Sequence, residues 1–408
     1  MPKAAAPGRE ERLQIRSFGP IETADITVRP LTVFVGPQAT GKSLTAQLLY
    51  FMRGIEELVA PEFESNKCLE LAVSWFDPGI FGSALATRHN GSHKFRAEWQ
   101  PLTLDERQAA PSALVQEFDA NDPLILQPNA ALRQRLSQAQ AASTNDFSSE
   151  YQVYVPAGRL LCSLVNPSLA LNLTKRGRLA WPGFLNMFYE KLESAIRELP
   201  LLNVSGPIEQ PKPTLLTEKS RSSLRGTLVR DRKNNVELIS NLRGISYQTS
   251  TGISSGLASG QLETWPLWTI LLAHLQSPQI KRIFIEEPEA HVHPTAQRDI
   301  MEALVTLLHH NFRFVITTHS PYVIYALNNA LLAGQVQKAG RKLPKGISEE
   351  FALAKEDIAA YRFTPDGQVR SLFDPETGLL DTGELDDPAA ALSAQFTDLQ
   401  DALHPDEE

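Results

Sequence analysis

Residues 36–43 read GPQATGKS and match the spacing G-x-x-x-x-G-K-[ST], with Gly36, Gly41, Lys42 and Ser43 at the fixed positions. Phosphates are polyanions. A loop whose glycines permit tight turns lets backbone N–H groups converge on them, at a helix N-terminus with its positive dipole end. In such a loop Pro37, Gln38, Ala39 and Thr40 form the crown around the anion. Lys42 is expected to reach the β- and γ-phosphates, and the Ser43 hydroxyl to bind Mg²⁺. The context the motif needs is present: LTVFV precedes it as a buried-strand pattern and a helical pattern follows.

A second run, IFIEEPEAHVHP at 283–294, starts as a buried strand and ends in paired acids. Carboxylates delivered by a strand beside a phosphate loop hold Mg²⁺ and polarise water. Glu286 is assigned to the metal and Glu287 to the general base or water-positioning role. His291 and His293 could be a metal pair, but two histidines without a third ligand nearby fit a loop at a subunit contact better. FRFVITTHS then reads as a strand at 312–317 followed by His319, placed to meet a γ-phosphate and an attacking water. SSGLASGQLE supplies Ser and Gly donors just before a helical pattern at 261–275, a second anion site. Ser259, Gly260 and Gln261 are preferred over the alternative Ser254-Ser255-Gly256, because LASGQLE runs directly into that helix. Pro266 is expected to kink or re-start it.

These motifs need elements to position them. RLQIRSF, a turn at Gly19-Pro20, ADITV and LTVFV read as three strands, and the helix after the loop should run from Lys42 to about Leu58. Ala72–Phe76 and Lys94–Trp99 read as strands, Ala113–Phe118 as a helix, and Gln127–Ser149 as a helix decaying into a linker. Gln152–Val155 returns to a strand pattern and is followed by PAGR. A helix over about 183–198 with Phe184, Met187, Phe188, Leu192 and Ile196 inward opens a helical lobe, and GPIEQPKPT at 206–214 is a loop. The interval 218–233 is the most basic stretch, with Lys219, Arg221, Arg225, Arg230, Arg232 and Lys233. From Ile239 helix and strand signals alternate, an α/β pattern.

The 408 residues carry 39 basic and 47 acidic side chains, so no global nucleic-acid footprint exists. The net charge of −8 comes from the tail: 11 acids and no Lys or Arg follow Arg370, a pattern that reads as a solvated terminus. Two cysteines, Cys68 and Cys162, exclude a disulfide framework and fit a reducing cytoplasm. The polar N-terminus shows no secretory signal, and no apolar run reaches membrane-spanning length.

Taken together, GPQATGKS, ASGQLE, IEEPE, AHVHP and TTHS resemble the phosphate loop, signature, paired acids, dimer-contact loop and switch histidine of ABC-type ATPases. Within these the chain is similar to the RecF/SMC-like group, including the ATPase halves of overcoming-lysogenisation-defect proteins. The phrase EEPEAHVHP followed by ITTHSPYVI carries most of that likeness, which spans about 11–53, 150–160 and 245–330. The resemblance implies an α/β P-loop NTPase with an ABC-type head, a mixed β lobe and an inserted helical lobe. It implies ATP and Mg²⁺ as cofactors, with 36–43, Glu286, Glu287 and His319 acting in one subunit. Ser259, Gly260 and Gln261 then act on the nucleotide of a second subunit, in a homodimer or higher oligomer.

The chain departs from that pattern at several places. Gln38 stands where an Asn is frequent, and Glu286 where the strand acid is usually Asp. PAGR stands where a Q-loop glutamine is usual, which makes Arg159 a candidate nucleotide sensor. No nuclease domain follows His319 and no long coiled coil links the lobes, so the effector is expected to be a separate protein such as a nuclease. Relatives of this architecture occur in bacterial anti-phage systems, a family-level analogy. The alternative is a RecF-like DNA-binding repair ATPase, for which 218–233 is the candidate contact. A transporter subunit is disfavoured by the 217 positions between Lys42 and Ser259, and a P-loop kinase by the signature and switch histidine. The expected organisation is 1–59 core with the phosphate loop, 60–150 mixed lobe and linker, 151–160 core strand, 161–244 helical lobe, 245–335 core with signature, acids and switch histidine, and 336–408 C-terminal extension.

Overall fold

The computed structural model describes residues 11–59, 69–70, 94–100, 114–119, 125–126, 150–157, 183–199, 215–224, 226–230, 236–240, 246–248, 259–275 and 280–403. The strands are β1 (Glu11–Phe18), β2 (Ile21–Val28), β3 (Leu31–Val35), β4 (Leu69–Glu70), β5 (Lys94–Gln100), β6 (Leu114–Asp119), β7 (Ile125–Leu126), β8 (Glu150–Val155), β9 (Gly226–Arg230), β10 (Val236–Ser240), β11 (Ser246–Gln248), β12 (Ile280–Glu286), β13 (Phe312–Thr318), β14 (Ile358–Phe363) and β15 (Val369–Ser371). The helices are α1 (Lys42–Val59), α2 (Gly183–Arg197), α3 (Leu215–Leu224), α4 (Ser259–Ala273), α5 (Pro294–Leu307), α6 (Pro321–Lys338) and α7 (Gly383–Leu403).

The central sheet has the order β15-β14-β3-β13-β12-β8. β14, β3, β13, β12 and β8 are mutually parallel, and β15 closes one edge antiparallel to β14. Parallel strands need crossovers that cover both faces, so their central residues are apolar on both faces. LTVFV of β3 is buried at all five positions, and Phe314, Val315 and Ile316 of β13 are fully buried. This is a mixed α/β fold with a predominantly parallel sheet. β13 lies between β3, which leads into the 36–43 loop, and the acid-bearing strand β12, so His319 arrives between loop and acids. The interval 336–408, set apart above as an extension, supplies β14 and β15 to this sheet.

A four-stranded antiparallel sheet runs β2-β1-β5-β6. Residues 113–118, expected to be helical, form the strand Leu114–Asp119 instead. Its register on β5 pairs Phe118 with Phe95 and Leu114 with Trp99, so the segment takes its conformation from a strand that a local reading does not see. β9, β10 and β11 make a separate three-stranded antiparallel sheet. α2 matches its expected span, with Phe188, Leu192 and Ile196 buried and Met187 partly buried. α4 continues through Pro266 without re-starting.

Within the acidic tail, Gly383–Leu403 forms the 21-residue helix α7, whose residues Leu392, Phe396, Leu399 and Leu403 are exposed. No described helix is long and apolar enough to cross a membrane. The elements expected at 72–76, 127–149 and 206–214 lie outside the described residues, as do Cys68 and Cys162.

Candidate functional site

Loop 36–41 leaves the buried end of β3 and enters α1 at Lys42. Its conformation requires its glycines. Gly36 has φ +144°, and a Cβ there would come within 2.2 Å of the Phe363 carbonyl oxygen at the end of β14. Gly41 has φ +98°, and a Cβ there would strike Ile21 Cγ1 at 2.7 Å. Ala39 adopts a left-handed φ of 60°, so three of the six loop residues turn the chain the rare way. Pro37, Gln38 and Ala39 are exposed at the crown, while Thr40 is buried and donates its hydroxyl to the Pro37 carbonyl at 2.9 Å.

Lys42 is buried, and its Nζ donates to the carbonyls of Gly36 at 2.8 Å and Pro37 at 2.6 Å. Burial pushes its ammonium pKa down to about 8, against the opposing pull of the Glu287 and Glu289 charges. A buried cation at the head of an 18-residue helix has the charge and setting that could receive a polyanion. Ser43 is partly exposed beside it.

β12 ends at Glu286, whose buried carboxylate accepts from Tyr154 Oη at 2.5 Å, the Ala157 amide at 2.9 Å and Gln47 Nε2 at 3.3 Å. These partners come from β8, the turn after it, and α1. Tyr154 is pushed well up by burial and then by the Glu286 charge. Glu287 follows at φ 44°, a strained value for a non-glycine residue, with its N–H anchored to the Thr317 carbonyl at 2.9 Å. The β12–β13 ladder sets Glu286 opposite Thr317, so His319 emerges beside Glu287. His319 Nε2 lies 3.1 Å from Glu287 Oε1, both side chains partly exposed.

The loop bearing His319 is fixed from both sides. Glu289 Oε1 accepts from the Thr318 hydroxyl at 2.5 Å and the His319 amide at 2.8 Å. Ser320 caps α6 by accepting from the Tyr322 amide, and its hydroxyl donates to Gln297 Oε1 at 2.7 Å. His293 caps α5 through Nδ1 and the Thr295 amide, which gives it a structural task. His291 is exposed with a left-handed φ of 58°.

Ser259 and Gly260 open α4, and Gln261 Nε2 donates to the Leu224 carbonyl at 2.6 Å, tying that helix start to α3. Arg159 and the alternative 254–256 lie outside the described residues. Within the basic stretch, Lys219 pairs with Asp299 and Glu302, and Arg230 donates to the Leu199 carbonyl. Lys219 is thus engaged in joining α3 to α5.

The structure therefore brings the 36–43 loop, Glu286, Glu287 and His319 to the C-terminal ends of adjacent parallel strands. Sequence reasoning passed over Gln47, Tyr154, Ala157 and Glu289, which hold the acids and the histidine loop. Tyr154 and Ala157 carried one signal, the PAGR turn ending a strand. Glu289 carried another as the third acid of EEPE.

A profile described as "AAA domain, putative AbiEii toxin, Type IV TA system" matches residues 218–324. That interval is about a quarter of the chain and holds the acids and His319 but not the 36–43 loop. No curated protein matches significantly. Among solved structures, the SmcHead bound to the C-winged helix domain of ScpA aligns at 12% identity and TM-score 0.42, over 90% of this chain and 98% of that one. The Smc head domain with an extended coiled coil bound to the C-terminal domain of ScpA, from Pyrococcus furiosus, aligns at 9% identity and TM-score 0.42, over 89% and 96%. The ADP conformation of an ATP-binding cassette of an ABC transporter aligns at 14% identity and TM-score 0.32, over 89% and 90%.

Proposed function

We propose that this protein binds and hydrolyses ATP with Mg²⁺ in a nucleotide-bridged homodimer, and that this cycle controls a separately encoded effector, such as a nuclease, in bacterial anti-phage defence. The observation that carries the ATPase reading is the convergence of Lys42, Glu286, Glu287 and His319 at one end of a parallel sheet. In this reading the 36–43 loop cradles the phosphates, Glu287 takes or orients the attacking water's proton, and His319 contacts the γ-phosphate. The hard oxygens of Ser43 and Glu286 fit Mg²⁺, which binds through few protein oxygens plus phosphates and water and would neutralise phosphate charge. Tyr154, the Ala157 amide and Gln47 orient Glu286 for that task. Arg159 remains a candidate nucleotide sensor.

The dimer rests on Ser259, Gly260 and Gln261 at the start of α4, a phosphate site supplied to the other subunit. Ser259→Arg is expected to leave ATP binding to the monomer unchanged and to abolish ATP-dependent association, read by light scattering with and without ATP. Unchanged association would remove this signature from the interface. The effector role rests on the sequence resemblance to the ATPase halves of overcoming-lysogenisation-defect proteins. Its test is the ATPase rate with and without DNA, RNA and the product of a neighbouring gene. Stimulation by DNA alone would favour the RecF-like alternative, which the engagement of Lys219 by Asp299 and Glu302 weakens.

The lowered pKa of Lys42 makes a separate prediction. Phosphates prefer the ammonium, so binding holds the proton on and raises the pKa of the bound state. Below about pH 8 the free protein is already protonated there and affinity is flat. Above it, binding must take up a proton, and affinity should fall by about tenfold per pH unit. Calorimetry in buffers of different ionisation enthalpy checks this; a flat profile from pH 7 to about pH 9.5 contradicts it.

A further inference from the structure

Three acids follow one another in EEPE, and the proposed reaction uses two. The third, Glu289, reaches from the turn after β12 to the end of β13. Its Oε1 accepts both the Thr318 hydroxyl and the His319 backbone N–H. Thr318 is fully buried, and its hydroxyl oxygen also accepts from the Ser320 amide at 3.0 Å. Ser320 is held in turn by Gln297, whose side-chain amide donates to the Val292 carbonyl at 3.1 Å. His319 therefore sits between two residues whose side chains are both fixed to the segment after β12. Its backbone is set by Glu289, and its imidazole meets Glu287 at 3.1 Å.

This bridge is costly. Glu289 Oε2 is buried and has no hydrogen-bond partner among the described residues. Burial pushes the Glu289 carboxyl up, the bonds from Thr318 and His319 pull it down, and the nearby Glu287 charge adds to the rise. A hydroxyl or amide could join two loops without burying an acid. A buried polar group left half-satisfied marks a place where stability is not the governing requirement.

We propose that Glu289 is a positioning residue: by accepting from the Thr318 hydroxyl and the His319 amide, it holds the switch imidazole against the Glu287 carboxylate. The inference rests on the ATPase reading for its kinetic consequence but not for its geometry. Displacing a reacting group by about 1 Å costs on the order of 100-fold in rate. A group that acts only through His319 should cost kcat and spare ATP binding.

Glu289→Ala removes the oxygen that accepts both bonds, whereas Glu289→Gln keeps one carbonyl oxygen for the same two donors. Glu289→Ala is expected to lower kcat about 100-fold with KM for ATP changed less than about threefold, and Glu289→Gln to recover most of that loss. Independently of activity, hydrogen exchange in a peptide spanning 317–320 of the nucleotide-free protein should quicken about tenfold in Glu289→Ala and stay slow in Glu289→Gln. Unchanged exchange in Glu289→Ala overturns the proposal even for a protein that hydrolyses nothing. In an active protein, a Glu289→Ala kcat within threefold of wild type does so too, as does a Gln variant no better than Ala. An inactive wild type with the expected exchange pattern would instead sink the ATPase reading alone.

Discussion

Lys42→Ala protein is expected to show no saturable ATP binding at millimolar nucleotide, while remaining folded. Two opposing effects decide this. The ammonium is buried, and burial lowers its pKa to about 8 despite the Glu287 and Glu289 charges, so removing it relieves a desolvated charge. The same change loses its bonds to the Gly36 and Pro37 carbonyls. The relieved charge and the lost bonds oppose each other in the nucleotide-free protein, and the melting temperature should stay within a few degrees. For bound nucleotide nothing cancels. Charge-assisted hydrogen bonds are worth about 1.5–3 kcal/mol each, and the phosphates lose both these and a screened Coulomb attraction. Two such bonds correspond to an affinity loss of at least about 100-fold, and about 1000-fold or more once the Coulomb attraction is included. Equilibrium binding of a fluorescent ATP analogue, alongside thermal melting, measures both sides. Affinity within tenfold of wild type would show that the 36–43 loop is not the phosphate site.

How much of this was legible in the chain depends on what kind of interaction each residue uses. The strand LTVFV, the loop after it and helix α1 are local and strongly patterned, and they fold as read, from Lys42 onward. Glu286, Glu287 and His319 were legible because their chemistry is scarce at strand ends. Their partners were not. Tyr154 meets Glu286 across 132 positions and Gln47 across 239, and no local pattern announces such a pairing. Leu114–Asp119 was misread as helix for the same reason: the strand exists because Lys94–Gln100 is there to pair with it. β14 illustrates the limit further. Nothing local in IAAYRF says that Phe363 will press its carbonyl against Gly36 and set the shape of a loop more than 300 positions earlier.

Glu287→Gln tests the other half of the site and should give the largest change in turnover. Glutamine is nearly isosteric, and the left-handed φ at 287 is held by the backbone bond to Thr317, which the substitution leaves in place. The contact with His319 also survives in kind, since an amide can face an imidazole nitrogen. What is lost is a base and a charge. Loss of general-base help costs about 100- to 10,000-fold, so kcat should fall into that range while ATP still binds. The proposed dimer should then form on ATP without discharging it, and dissociation after dilution should slow by a similar factor. Hydrolysis at the wild-type rate would remove Glu287 from the role of base. A further consequence separates charge from chemistry. The Glu287 charge helps keep the Lys42 ammonium protonated, second only to burial in its influence on that group. Without it, the lysine should lose its proton at lower pH, and the decline of ATP affinity should begin below pH 8 in Glu287→Gln protein. A shift of that onset, measured in a variant that no longer turns over, would report the electrostatic coupling between Lys42 and Glu287 in solution.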